Sequence, residues 1–126
     1  MLTAVEPPVR IEIAACEPIG VSGRWRVTWR VVNVSPVPVA IAEAWVPHGR
    51  FRGDGHLPLN VVIAPRESHL LEVTVNAQEE PGTVVENAFL ILRTAVCRVF
   101  ARMTVKFSDT GRPWPVIEAV TAQSLE

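Results

Sequence analysis

The sequence predicts an all-β protein, a two-sheet antiparallel sandwich of about seven strands continued by an extended C-terminal arm. Three observations predict it. The 126 residues include 21 Val and 7 Ile, the β-branched types that pack best on a pleated surface. Apolar residues recur with a period of two over long stretches, and none holds a 3.6-residue period long enough for a helix. The 11 Pro and 7 Gly fall mostly between those stretches, at intervals of roughly ten residues, where a sandwich turns.

Alternation starts at Val9, with Val9, Ile11 and Ile13 on one side and Arg10, Glu12 and Ala14 on the other, and stops at Glu17-Pro18 and Gly20 to Gly23. Residues 24–34 alternate most clearly: Trp25, Val27, Trp29 and Val31 face one way, and Arg24, Arg26, Thr28 and Arg30 the other. The Arg side must meet water. Asn33-Val34-Ser35-Pro36 then reads as a turn, and residues 37–46 as a third strand in which Pro38 sits near the start.

Residues 47–58, PHGRFRGDGHLP, lose periodicity and read as an exposed loop. A short strand, 59–63, follows. The Ala64-Pro65-Arg66-Glu67-Ser68 turn leads into 70–75, with Leu71, Val73 and Val75 inward. After Glu79-Glu80-Pro81-Gly82 come two long strands, 84–92 and 96–107. On the last of them Cys97, Val99, Ala101, Met103, Val105 and Phe107 share one face, and Arg98, Phe100, Arg102, Thr104 and Lys106 the other. The expected core includes Trp25, Val27, Trp29, Val99, Met103 and Val105. Residues 1–108 are thus assigned to the sandwich. Residues 109–126 form a Pro-flanked arm or an additional strand, and the closing Leu125-Glu126 has the form of a tag remnant.

Charge narrows the function classes. With 12 basic against 13 acidic residues the net charge is −1, and the basic residues are scattered, so a nucleic-acid partner is not expected. No run approaches the ~18 apolar residues of a membrane helix, so no membrane partner is expected either. Cys16 and Cys97 lack the close spacing of a zinc or redox motif, and the reading is of two free thiols in a reducing, cytoplasmic setting. Glu6, Pro7 and Pro8 stand where a secretory signal would carry basic residues and then an apolar run. A secreted or cell-surface domain whose signal had been removed would read the same.

The stretch from Trp25 to Phe107 resembles the bacterial immunoglobulin-like sandwiches, in particular the cell-adhesion-related (CARDB-like) type. The matching features are the strand ending in Asn33-Val34-Ser35, the long strand after it, and the Ile63-Ala64-Pro65-Arg66-Glu67-Ser68 turn into an alternating strand. The resemblance implies an immunoglobulin-like fold and assigns no catalytic residue.

Candidate sites are few. His48, Asp54 and His56 are residue types that ligate divalent metals, although no metal or cofactor is called for by spacing. Arg50, Phe51 and Arg52 in the same loop, and Trp114, Val116 and Ile117 in the arm, are the interaction candidates. Pro113-Trp114-Pro115 holds a large aromatic in extended backbone, which suits docking on the arm's own sandwich or on the open sheet edge of a second copy. The two basic faces, Arg24/Arg26/Arg30 and Arg98/Arg102/Lys106, are expected on different sheets, with Glu12 and Glu72 beside the first. No G-x-S-x-G, P-loop, dinucleotide or H-E-x-x-H motif occurs. The expected function is therefore a non-catalytic interaction or structural module with an unidentified protein partner, a homodimer included. A metal- or small-ligand-binding sandwich using the 48–56 loop, and a secreted adhesin-type domain, are the alternatives.

Overall fold

The computed structural model describes residues 3–125; Met1, Leu2 and Glu126, the last belonging to the tag-like terminal pair, lie outside the described residues. Eleven strands follow in order: β1 (Ala4–Val5), β2 (Val9–Pro18), β3 (Arg24–Asn33), β4 (Val39–Trp45), β5 (Pro47–His48), β6 (Phe51–Gly53), β7 (Leu57–Ile63), β8 (Ser68–Asn76), β9 (Val84–Thr94), β10 (Cys97–Phe107) and β11 (Pro113–Ser124). They form two antiparallel sheets, one ordered β1-β11-β10-β9-β4-β7 and the other β2-β3-β8-β6-β5. The expected all-β sandwich is what the chain forms.

All seven expected strands are present, and four more join them. The segment 47–58 is not an open loop. It crosses to the smaller sheet as the β5–β6 hairpin, with Arg52 opposite Asn76 and Gly53 opposite Val75 of β8. Phe51 drives this, because its ring is fully buried and an exposed ring of that size would forgo about 2–3 kcal/mol.

The C-terminal segment is likewise a strand of the larger sheet rather than a free arm. β11 pairs with β10 from Cys97↔Ser124 to Phe107↔Pro113, and β1 covers its other side at Ala122 and Gln123. A bulge at Glu118 shifts the register, so the inward positions run Pro113, Pro115, Ile117 and then Val120 and Ala122. Pro113, Pro115 and the bulge stand along a strand that β1 covers only in part, and such features oppose pairing with a further chain.

The core lies between the sheets. Every inward position of β10 is buried, as alternation requires, and Trp29 is the largest fully buried side chain. Its indole N–H has no hydrogen-bond partner, a cost of about 1–3 kcal/mol. Burying an indole of roughly 150–250 Å² contributes about 4–6 kcal/mol, so burial wins. Trp25, at the end of the row, is half-buried, and its N–H donates to Ala77 O at 2.8 Å.

Glu12 lies opposite Arg30 and Glu17 opposite Arg26, while Glu72 faces Thr28. The two basic faces do sit on different sheets. Cys16 and Cys97 are free and both buried. Burial pushes the Cys16 thiol up to about 11, against the opposing pull of Arg112. A disulfide-exchange reagent at mildly alkaline pH is therefore expected to leave both thiols unmodified in the native protein and to modify both in guanidinium chloride. Rapid native reaction of Cys16 would contradict its burial.

Two of the three features that carried the family resemblance, the Asn33-Val34-Ser35 end of β3 and the turn after Ile63, meet in space. The Asn33 side chain donates to Val37 O and Ile63 O, both at 2.8 Å, and accepts from the Ser35 N–H and hydroxyl, also at 2.8 Å. Its backbone N–H donates to Glu67 O and its carbonyl accepts from Arg66 N–H, each at 3.0 Å. Asn33 thus ties the end of β3 in one sheet to the end of β7 in the other.

Candidate functional site

The residues of the 48–56 segment each serve the hairpin. His48 Nδ1 accepts the Arg50 N–H at 3.0 Å across the β5–β6 turn, which fixes the acceptor tautomer at that nitrogen. The Arg50 guanidinium donates to Glu79 Oε1 at 2.5 Å and holds that carboxyl below its ordinary value. Asp54 accepts from Arg24 at 3.2 Å and from Asn76 at 3.3 Å. His56 turns the other way and stacks on Trp45 with ring centroids 4.2 Å apart and planes inclined by 11°. Its Nδ1 lies 2.9 Å from Glu43 Oε1, the oxygen that also meets Arg93 Nε at 3.4 Å. These two partners, His56 first, keep the Glu43 carboxyl below its ordinary value.

His48, Asp54 and His56 therefore point to three different partners. Among the described residues no three His, Cys, Asp or Glu side chains are grouped as a metal ion requires. Each of the three candidates is committed to a local contact instead. Two interaction candidates are corrected as well. Phe51 is a core residue, and Ile117 lies opposite Met103 and packs against the core. Arg52 is exposed on β6 and Arg50 is bound to Glu79.

Trp114 and Val116 do lie on a surface of interest, the outer face of the six-stranded sheet. Trp114 is 41% exposed and stands opposite Lys106; Val116 is half-buried opposite Thr104. Farther along that face one row of paired residues runs across four strands: Trp45 of β4, Ile91 of β9, Phe100 of β10 and Thr121 of β11. Phe89, opposite Arg102, adjoins the row. Trp45, Phe89, Ile91 and Phe100 are all half-buried, and the His56 ring lies against Trp45.

An antiparallel sheet with one face on the core ordinarily turns polar side chains to water on the other. This sheet instead places large apolar groups on both faces. The sequence carries a signal of it that alternation alone passes over: Ala88-Phe89-Leu90-Ile91-Leu92 is apolar at every position, the pattern of a strand covered on both sides. Alternation with Val99 and Ala101 puts Phe100 on the outward side, whereas Trp45, Phe89 and Ile91 carry no such signal of their own, because their flanking residues are apolar as well.

The face is also basic around its apolar row. Arg98 and Arg102 flank Phe100 on β10, and Lys106 lies beyond them. None of the three forms an ion pair among the described residues, whereas Arg93 is held by Glu43. Elsewhere, a cleft of about 680 Å³ opens at the sandwich end between the β2–β3, β8–β9 and β10–β11 turns. Its lining includes Arg24, Trp25, Gln78, Glu79 and Glu80, of which Arg24 and Glu79 are already engaged by Asp54 and Arg50. No known protein family, curated protein or solved structure matches the chain.

Proposed function

We propose that the chain is a non-catalytic, immunoglobulin-like binding module that engages a protein partner through the outer face of its six-stranded sheet. The observation that carries this reading is the Trp45–Ile91–Phe100 row, large apolar side chains aligned on a face that water would otherwise populate with polar ones. Aromatic and apolar groups of this kind, ringed by Arg, are the composition of protein-binding hot spots. The immunoglobulin-like part is supported by the path of the chain. It lays β2 and β3 in one sheet, β4 and β7 in the other, returns for β8, and finishes with β9, β10 and β11 side by side. A non-catalytic role is supported by the engagement of His48 and His56 in structural contacts and by the burial of both thiols. Nothing in these contacts couples an imidazole to a hydroxyl or thiol nucleophile.

The test compares capture of partner proteins from a lysate of the source organism by three immobilised forms: the natural chain, Ile91→Thr/Phe100→Thr, and Leu70→Thr. Thr preserves strand propensity. Leu70 is a 53% exposed apolar residue of the other sheet and serves as the control. The reading expects the natural chain and Leu70→Thr to retain the same protein and the double variant to lose it by at least tenfold, with all three melting within a few degrees of one another. Equal retention by all three forms would remove the outer face from the function.

A further inference from the structure

We infer that the partner seated on this face presents an extended acidic segment, with carboxylates flanking an apolar side chain, and is not a second copy of this chain. The inference rests on the reading of the outer face as the binding surface. What it adds comes from charge. Arg98 and Arg102 stand on the same side of β10 with Phe100 between them, and neither forms an ion pair. Four residues of strand separate them by about 13 Å. A purely apolar occupant of the Phe100 row would strip water from two guanidinium groups and give nothing in return, which is unfavourable. Carboxylates placed above them recover that loss through charge-assisted, bidentate hydrogen bonds.

The face's own acids do not fill that role. Glu43 is engaged by Arg93 and His56. Glu86 and Glu118 stand at the bulges of β9 and β11, exposed, and neither pairs with Arg98, Arg102 or Lys106. Two copies of the chain joined face to face by a two-fold axis through Phe100 would set Arg98 of one copy against Arg102 of the other, and like charges in a closed interface disfavour that pairing. A single-stranded nucleic acid would also meet cations and aromatic rings here. The face is too weakly charged for it, since three unpaired cations share the surface with Glu86 and Glu118.

The binding segment is therefore of the form acid-x-apolar-x-acid in extended conformation, two residues per step matching the two-residue spacing of Arg98, Phe100 and Arg102. Two synthetic peptides test it, one alternating Glu with Phe and Leu at those positions and one with Lys in place of Glu. Binding is read from the amide resonances of β9 and β10, at low and at elevated salt. The natural chain is expected to bind the Glu peptide at least tenfold more tightly than the Lys peptide, with affinity falling as salt rises. Arg98→Glu/Arg102→Glu, whose exposed sites leave the melting temperature within a few degrees, is expected to invert that preference. Equal binding of both peptides, binding of neither, or tighter binding of an oligothymidine would overturn the acidic-segment inference. So would a concentration-dependent dimer in sedimentation that Phe100→Thr disperses. In the capture experiment above, loss of the partner by Ile91→Thr/Phe100→Thr would still uphold the face as a binding surface, so the two failures are distinguishable.

Discussion

Truncation after Ser108 is expected to cost the chain much of its stability and to lower its melting temperature steeply. β11 is paired with β10 over its whole length and buries Pro113, Pro115 and Ala122, with Ile117 and Val120 packed against the core. It also closes the sandwich on the side of β2, where the Arg112 guanidinium donates to Cys16 O from the turn just before it. Removing it uncovers inward side chains of β10 such as Met103 and Val105, which are fully buried in the full chain. The remaining residues still bear the entropy cost of ordering β2 and β10 and lose the cover that offsets it. Three or four apolar side chains brought to water at roughly 1.5–3 kcal/mol each amount to about 5 kcal/mol or more, comparable to the whole stability of an ordinary domain. For a chain of this size that corresponds to a fall in melting temperature of about 15–30 °C. Calorimetry of the truncated chain decides it. A melting temperature within about 5 °C of the full-length value would show β11 to be a detachable appendage.

β11 also shows why part of the fold was hard to see in the sequence. The strands β3 and β10 are legible because bulky apolar residues alternate through Trp25 to Val31 and Cys97 to Phe107 without a break; burial follows that period throughout β10, while β3 also buries Thr28, which its alternation with Val27 and Trp29 points to water. In β11 the same period is present on either side of Glu118, but the bulge shifts its phase. Two prolines at its start further disguise it, although Pro is compatible with a strand near a sheet edge. The β5–β6 hairpin was illegible for a different reason. Strands of two and three residues are too short to show a period, and what fixes them is contact with β8 some twenty residues later. Phe51 looked like the tip of a polar loop because its neighbours are polar, yet its own burial creates the hairpin.

The candidate site was legible only in fragments. Arg98, Phe100, Arg102 and Lys106 could be placed outward from their own strand, whereas Trp114 and Val116 stood out only as contact candidates with no face assigned. That Phe100 lies beside Ile91, and Ile91 beside Trp45, is a matter of register between strands, and register depends on turns and bulges that local alternation does not encode. The basic character of the face emerges the same way. Glu43 is available in sequence to any of these arginines, but the β4 bulge between Ile41 and Glu43 sets it opposite Arg93 and leaves Arg98 and Arg102 unpaired.

Asn33→Ala is expected to be among the most damaging single substitutions in the chain. Asn33 is 1% exposed, and its amide leaves no bonding capacity idle: two donated bonds go to Val37 O and Ile63 O, and its oxygen takes two from Ser35. Alanine removes all four and takes the side-chain donor from the buried Ile63 O, while Val37 O keeps the Ser35 hydroxyl at 2.9 Å; each buried group left unpaired costs about 1–3 kcal/mol. The expected loss is about 3–5 kcal/mol, or roughly 10–25 °C in melting temperature. Asn33→Asp separates hydrogen bonding from shape. Aspartate has the same outline and still accepts from Ser35, but an ionised carboxylate has no proton to offer the two carbonyls and would face them with a negative charge. Its folded pKa must then rise above the unfolded value of about 3.9. A group raised in this way destabilises the fold at pH values above its folded pKa, and that ionisation penalty fades as pH falls toward 3.9, where both states carry the proton. Asn33→Asp should accordingly be at least as unstable as Asn33→Ala at neutral pH, and should approach the natural chain when denaturant titrations of both are repeated in acid. If instead the gap between Asn33→Asp and the natural chain is independent of pH, the Val37 and Ile63 carbonyls are not what the Asn33 amide is there to satisfy.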